Sequence, residues 1–129
     1  MGTSMVVNRY YKQEEQTENI FPKLIEKKVK VEINSNEKKY IPIELGINKY
    51  ELRTIFIENT ANNDYECTIF DKQKDGQIQY SSIKEKRTYD IINIPCDDKD
   101  QTKSCHLFIE NFSNVPSLYT VVLKVTTLV

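Results

Sequence analysis

The sequence predicts an all-β protein, an antiparallel β-sandwich of about eight strands with a jelly-roll or immunoglobulin-like arrangement, preceded by an extended N-terminal arm. Three observations predict this fold. Apolar and polar residues alternate in short runs, turn-forming residues separate these runs at roughly eight- to twelve-residue intervals, and the tetrapeptide Phe-Ile-Glu-Asn occurs twice. No stretch after Lys28 has the apolar period of a helix. We therefore divide the chain into an arm, residues 1–22, and one sandwich domain, residues 23–129.

The repeated tetrapeptide, Phe56–Asn59 and Phe108–Asn111, lies in two runs that have apolar residues on both faces. In the first run Ile55 and Ile57 share one face, while Phe56 lies on the other, and the second run repeats this pattern. A strand with apolar residues on both faces is typical of the centre of a sheet. A loop rich in Asn and Ser and then a second β-like run follow each copy, so the sequence predicts a hairpin that is used twice.

The first strands of the domain are predicted by the regular alternation of apolar and polar residues. Val29, Val31 and Ile33 point to one face from Lys28 onwards, with charged residues between them. Alternation resumes over residues 41–45 after a polar turn. Pro42 has no backbone donor, so we expect this second strand at a sheet edge or beside a bulge. A third strand, residues 50–58, carries the first tetrapeptide.

Turn residues delimit the later strands. Residues 65–71 form a strand, and Asp75-Gly76 predicts a tight hairpin turn because both residues tolerate positive φ. A further strand runs from about Thr88 to Ile94 and ends at Pro95. The second tetrapeptide strand and a closing strand complete the domain, at residues 104–110 and 118–127.

The N-terminal 22 residues are polar and have no sustained period. Residues 1–5 are consistent with a cloning scar followed by a native start at Met5, and we leave them out of the fold. The rest predicts an extended assembly arm in which the adjacent Tyr10 and Tyr11 dock on a neighbouring subunit. A short helix over residues 9–19 and a disordered tail are the alternatives.

Charge and apolar content exclude two classes of partner. The chain of 129 residues has 18 basic and 19 acidic residues and a formal net charge of −1. Nucleic-acid binding needs a basic footprint, so we expect no nucleic-acid partner. No apolar run approaches the length of a membrane span, so we expect no membrane insertion.

The three cysteines allow one disulfide bond. Cys96 and Cys105 flank a short acidic loop between two predicted strands, so they could bridge a hairpin in an oxidising compartment. In a reducing compartment both would stay free. Cys67 lies inside a predicted strand and we expect it to be a small buried apolar residue.

We find no catalytic, cofactor-binding or metal-binding pattern in the sequence. His106 is the only histidine, and its neighbour Cys105 points to the opposite face of the strand, so the two do not form a nucleophilic pair. We expect His106 to lie on the surface. Asp97, Asp98 and Asp100 are oxygen donors on one loop, but their spacing does not match a calcium loop, so solvated turn residues are the expectation and calcium is the alternative.

Residues 28–129 also carry a recognisable combination of strands. The strand Cys67–Asp71, the hairpin through Asp75–Tyr80, the late Phe-Ile-Glu-Asn strand and the terminal run Tyr119–Val125 resemble the small β-sandwich modules of bacteriophage tails, phage-like particles and bacterial surface proteins. The resemblance implies a non-enzymatic structural or attachment component of a phage-like or multi-subunit particle, which assembles through β-edges and the arm. Its partners would be copies of itself or other particle subunits. Its location would be a virion or extracellular particle after cytoplasmic assembly, with the cytoplasm as the alternative.

The loops after the two tetrapeptides suggest a second function. A glycan- or protein-binding β-sandwich module would use loops 59–64 and 111–116 as its recognition surface, since binding loops cluster at the end of a sandwich. The candidate binding residues are Asn59, Asn62, Asn63, Asn111 and Asn114.

Overall fold

The computed structural model describes residues 22–83 and 86–128, which form eight β-strands in two four-stranded antiparallel sheets. The strands are β1 (Leu24–Ile33), β2 (Lys38–Glu44), β3 (Lys49–Asn59), β4 (Tyr65–Phe70), β5 (Ile78–Ile83), β6 (Arg87–Asp97), β7 (Ser104–Asn111) and β8 (Ser117–Thr127). The predicted all-β sandwich is confirmed. Within the described ranges, no helical segment is long and apolar enough to cross a membrane. The arm with Tyr10 and Tyr11 lies outside these ranges.

The order of the strands is that of a jelly roll. Sheet 1 has the order β1-β8-β3-β6 and sheet 2 has the order β2-β7-β4-β5. The two tetrapeptide strands β3 and β7 are central, each with a partner on both sides, as their two apolar faces predicted. The predicted repeated hairpin is wrong, however, because β3 and β4 lie in different sheets, as do β7 and β8. A polar loop joins strands equally well within a sheet or between sheets, so the sequence pattern did not distinguish the two.

The core lies between the inner faces of the two sheets. Ile55 and Ile57 of β3 face Leu107 and Ile109 of β7, and all four side chains are fully buried. Burying each such side chain contributes roughly 1.5–3 kcal/mol. The outer faces of the same strands carry the half-buried Phe56 and Phe108.

Two of the prolines, Pro42 and Pro95, lie in edge strands. Pro42 lies in β2, at the edge of sheet 2, as predicted. Pro95 lies inside β6 and does not end it, so the predicted end of this strand is too early. The strand continues because β6 is an edge of sheet 1 and pairs only with β3 among the described strands. On the side without a partner, the missing amide donor of proline costs no hydrogen bond of the sheet.

Strand β6 also contains a β-bulge. The register shifts opposite Arg53, and Asn93 in β6 has φ 58°.

The predicted hairpin is present between β4 and β5, but its connection spans residues 71–77 and is not a tight turn, and Gly76 does not have the positive φ expected. Asp75 has φ 56°, in the left-handed region that Asp tolerates better than most residues. A Cβ on Gly76 would lie 2.8 Å from both Asp71 Oδ1 and the Lys72 backbone nitrogen, so the turn needs glycine for close approach.

Candidate functional site

The loops of the sandwich gather at two opposite ends. Strand β3 runs from Lys49, opposite Asp97, to Asn59, opposite Tyr119, and the register of the other strands follows from it. We call one end the asparagine end, formed by residues 34–37, 59–64, 86 and 111–117. We call the other the aspartate end, formed by residues 45–48, 71–77 and 97–103. The two loops predicted for binding both lie at the asparagine end, where the Ala61 amide donates to Ser117 Oγ at 3.1 Å.

Asn111, the last residue of the second tetrapeptide, holds together three segments of the asparagine end. Its side chain is completely buried, and Nδ2 donates to the carbonyl oxygens of Ile33 at 3.1 Å, Asn34 at 3.3 Å and Val115 at 2.9 Å. Its Oδ1 accepts a hydrogen bond from the Ser113 amide at 2.9 Å. Both amide hydrogens are therefore used within the protein, and the burial of the side chain keeps it out of reach of a ligand.

Asn59, the last residue of the first tetrapeptide, has the same role in the loop after β3. Its Nδ2 donates to the Asn63 carbonyl at 3.0 Å, and its Oδ1 accepts from the Asn63 amide at 2.9 Å. Ser117 Oγ also donates to Asn59 Oδ1, at 3.1 Å. Two of the five candidate binding residues are thus structural caps of the loops.

The remaining candidates, Asn62, Asn63 and Asn114, have no side-chain hydrogen bond to another described residue. Asn62 and Asn63 line a cleft of about 320 Å³. Asn114 is exposed but does not line the cleft. The other lining residues are Asp64, Lys86, Phe112 and Ser113, which the sequence analysis had not selected. Phe112 could have been found as the one aromatic residue in a loop of polar and small residues.

Asp98 organises the aspartate end. It is 2% exposed, which corrects the expectation of a solvated turn residue. Its Oδ2 accepts from the Thr102 amide at 2.8 Å, the Thr102 hydroxyl at 2.9 Å and the Ser104 amide at 3.1 Å, while Oδ1 accepts from the Asp100 amide at 3.0 Å. The carboxylate therefore closes the loop between β6 and β7 on itself.

His106 completes this network, and its position corrects a second expectation. The side chain does point away from the inner apolar row, opposite Cys105, but the loop of Asp98 covers it and leaves it 1% exposed. Nε2 lies 2.7 Å from Asp98 Oδ1, and Nδ1 lies 2.8 Å from the Tyr40 hydroxyl. Because an ionised carboxylate only accepts, Nε2 carries a proton and donates to Asp98.

The surroundings of Asp98 and Tyr40 shift the pKa values of both side chains. Burial raises the pKa of Asp98, but hydrogen bonds from His106, Ser104 and Thr102 outweigh it and lower the pKa to about 2. Burial, with the charges of Asp100 and Asp98, raises the pKa of Tyr40. The Tyr40 hydroxyl therefore stays protonated at neutral pH. Since a general acid or base must reach its substrate, the buried His106 and Asp98 are better placed to hold the loop than to transfer protons.

The same residues could hold a metal ion only by giving up a hydrogen bond. Asp98, Asp100 and His106 place one ligand atom each within 4.8 Å of the others. Nε2 of His106 already bonds Asp98, and it lies 3.7 Å from Asp100 Oδ2. Asp100 Oδ2 also accepts from the Gln73 amide at 2.8 Å, which ties the loop to the β4–β5 hairpin. The cluster is thus explained by hydrogen bonds within the protein.

The three cysteines are buried free thiols in this structure. Cys96 lies in β6 of sheet 1 and Cys105 in β7 of sheet 2, so a bond between them would cross the sandwich and would not close a hairpin. Tyr50, also buried, lies close enough to both thiols to interact with them. Burial is the first cause that raises the pKa of Cys96 to about 11 and that of Cys105 to about 12. The disulfide remains a prediction.

Substituting Asn111→Ala should lower the free energy of unfolding by roughly 2–3 kcal/mol, because it leaves buried backbone carbonyls without a donor. Asn114→Ala, on an exposed side chain of the same loop, is the matched control and should change it by less than about 0.5 kcal/mol. Urea denaturation measures both. Equal effects would show that the Asn111 hydrogen bonds do not stabilise the asparagine end.

The low pKa of Asp98 makes stability depend on acidity in a defined direction. Because the folded pKa of about 2 lies below the ordinary value of 3.8, the ionised form stabilises the fold above pH 4, and this contribution is lost as pH falls towards 2. The linked loss is roughly 2 kcal/mol. Urea denaturation from pH 5 to 2 should show a steeper decline for the natural chain than for Asp98→Asn, with Asp64→Asn as the exposed control. A carboxyl pKa of Asp98 near 4, measured by NMR, would contradict this account.

The buried thiols should react slowly with a disulfide reagent such as DTNB at pH 8 in the native protein, since thiolates are the reactive form and both pKa values are raised. After unfolding without reductant, the number of thiols that react per chain should show whether Cys96 and Cys105 are oxidised. One reactive thiol per chain indicates the Cys96–Cys105 bond, and three indicate that it is absent. Rapid labelling of the native protein would contradict the burial of these groups.

Comparisons with known proteins support the fold. No family model and no curated protein sequence matches the chain. One similar solved structure comes from Bacillus endospore appendages, described as a novel family of disulfide-linked pili; it has a TM-score of 0.53 and 8% identity, and the match covers 84% of this chain and 92% of that one. A de novo designed double-stranded β-helix has a TM-score of 0.34 and 14% identity over 76% of this chain and 97% of that one. The structural likeness is therefore to the β-fold of a surface appendage protein, and it does not point to phage tails.

Proposed function

We propose that this protein is a non-enzymatic structural subunit of a multi-subunit appendage or particle, which assembles through an exposed sheet edge and the N-terminal arm. The observation that carries the proposal is the composition of the β5–β6 flank, the side of the sandwich formed by the edge strands of both sheets. Four large apolar side chains on this flank are each more than half exposed: Ile78, Ile83, Tyr89 and Ile91.

The four edge strands differ in how they are protected against pairing with another chain. Strand β1 alternates apolar residues with Lys and Glu, and β2 carries two lysines and Pro42. Lysine and proline are common means of blocking an edge. Strand β5, in contrast, has no charged residue. Strand β6 carries Pro95 and a bulge, which limit backbone pairing, but it exposes Tyr89 and Ile91, so these apolar side chains would make its contact with a partner. The Pro42 strand is also a sheet edge, but the β5–β6 flank is better suited to this role.

Side-chain contacts hold this flank in a fixed shape. The Gln79 amide group pairs with the backbone of Asp97, donating at 2.9 Å and accepting at 2.8 Å, as a neighbouring strand would. The Tyr80 hydroxyl donates to Asp90 Oδ2 at 2.7 Å. A preformed surface loses less entropy on association than a mobile one. The fixed shape of the flank therefore favours its association with a second copy of the chain.

The likeness to the endospore appendage chain is in keeping with this proposal, since that protein is described as forming pili. By analogy, we place the assembled form of this protein on a bacterial cell, spore or phage-like particle surface. The commitment of Tyr40, His106 and Asp98 to one buried network supports a role without catalysis.

Light scattering coupled to size exclusion tests the proposal on the full chain. We expect a defined oligomer that dissociates when Ile83→Glu and Ile91→Glu place charges on the flank, because burying an unpaired carboxylate opposes association. Leu24→Glu is the matched control, since Leu24 is 64% exposed on the opposite edge of sheet 1, and it should leave the oligomer intact.

A chain that begins at Lys23 tests the contribution of the arm in the same experiment. We expect it to weaken the oligomer, and a melting temperature close to that of the full chain would show that the sandwich itself is unaffected. A natural chain that is monomeric at all concentrations would refute the assembly proposal.

A further inference from the structure

The cleft at the asparagine end has the side chains of a sugar-binding site, and this function would be separate from assembly. Its walls are the loop after β3, with Asn62, Asn63 and Asp64, and the loop after β7, with Phe112 and Ser113. Its volume of about 320 Å³ is at the small end of ligand pockets, which span roughly 300–1,000 Å³. A cleft of this volume can hold a short segment of an oligomeric ligand.

Phe112 differs from the other described phenylalanines. Phe56, Phe70 and Phe108 each contact another aromatic ring on the sheet faces. Phe112 contacts no other ring in the described ranges and is 41% exposed in the cleft. The face of an aromatic ring carries negative charge density and attracts the polarised C–H groups of a sugar. The exposed ring therefore offers a stacking surface.

Three polar side chains beside this ring have no partner in the part of the chain that the structure describes. The side chains of Asn62, Asn63 and Asp64 form no hydrogen bond to another described residue, unlike those of Asn59 and Asn111. A carboxamide supplies both donors and an acceptor, and a sugar hydroxyl likewise donates and accepts. Two carboxamides and the carboxylate of Asp64, which only accepts, stand next to an exposed ring and can bond several hydroxyl groups of one sugar.

The two tetrapeptide asparagines hold the walls of the cleft in place. Asn59 bonds both the amide and the carbonyl of Asn63, and Asn111 bonds the Ser113 amide. Ser113 is further fixed by Ser35 Oγ, which donates to its carbonyl at 3.0 Å. Binding groups on loops that are already ordered lose little entropy when a ligand binds.

The charges at the cleft favour a neutral ligand. Asp64 and Lys86 contribute one charge of each sign, so neither an anion nor a cation is attracted by a net charge. A nucleic acid would need a basic surface, and a calcium ion would need six to eight oxygen ligands. We propose that this cleft binds a neutral glycan, which stacks on Phe112 and is hydrogen-bonded by Asn62, Asn63 and Asp64.

NMR titration of the ¹⁵N-labelled full chain tests this proposal, with neutral hexose and N-acetylhexosamine oligosaccharides at millimolar concentration as probes. At least one should shift the amide signals of residues 62–64 and 112–113. Phe112→Ala and Asn62→Gly should each weaken this binding about tenfold or more, with no change in melting temperature. Glycine is chosen at position 62 because Asn62 has φ 54°, where alanine would be strained.

Val115→Ala is the control, because Val115 is exposed in the same loop but does not line the cleft. It should leave glycan binding unchanged, and none of the three variants should alter the oligomer, which separates this test from that of assembly. The proposal is overturned if no neutral oligosaccharide shifts these signals, if Phe112→Ala binds as the natural chain does, or if only acidic glycans or a protein bind there.

Discussion

The structure depends on how polar backbone groups are paired where the chain passes from one sheet to the other. At such a crossing the ladder of a strand ends, and the amides and carbonyls near it need new partners, since an unpaired buried group costs roughly 1–3 kcal/mol. Asn111 supplies partners for four backbone groups in two segments, and it joins both to its own strand. Asn59 does the same on a smaller scale after β3. In each copy of the tetrapeptide, the first residues thus belong to a strand, and the final asparagine caps the loop that follows it.

At the aspartate end, a carboxylate supplies the partners for the backbone groups of the loop. Asp98 accepts hydrogen bonds from the loop between β6 and β7, and the buried His106 supplies a further donor from β7. An asparagine could not replace it there without turning an amide group towards backbone donors. A carboxylate accepts at all positions, and its retained charge explains why this end of the fold responds to acid while the asparagine end has no such dependence built into its caps.

Most of the fold could be predicted from the sequence because its strands obey simple alternation. Ile41 and Ile43 lie inward on an edge strand with Pro42 between them, and the tetrapeptide strands are central. The connections could not be predicted, because the residues after Asn59 and Asn111 are compatible with a hairpin or a crossing. The burial of His106 was missed for a related reason: a strand pattern predicts which face a residue occupies, but not whether a distant loop covers that face. The two loops were expected at one end of the sandwich and lie there, but Phe112 and Asp64 were not selected, because a loop pattern does not predict which side chains face one another.

The geometry also separates the surfaces proposed for assembly and for binding. Assembly would use the side of the sandwich, where β5 and β6 are the edges of their sheets among the described strands and carry exposed apolar side chains. Ligand binding would use an end, where strands terminate and capped loops present side chains. Subunits joined along their edges leave the strand ends uncovered. A filament or shell built in this way would therefore display one cleft per subunit, and weak binding of a single glycan would be strengthened by the number of clefts that act together.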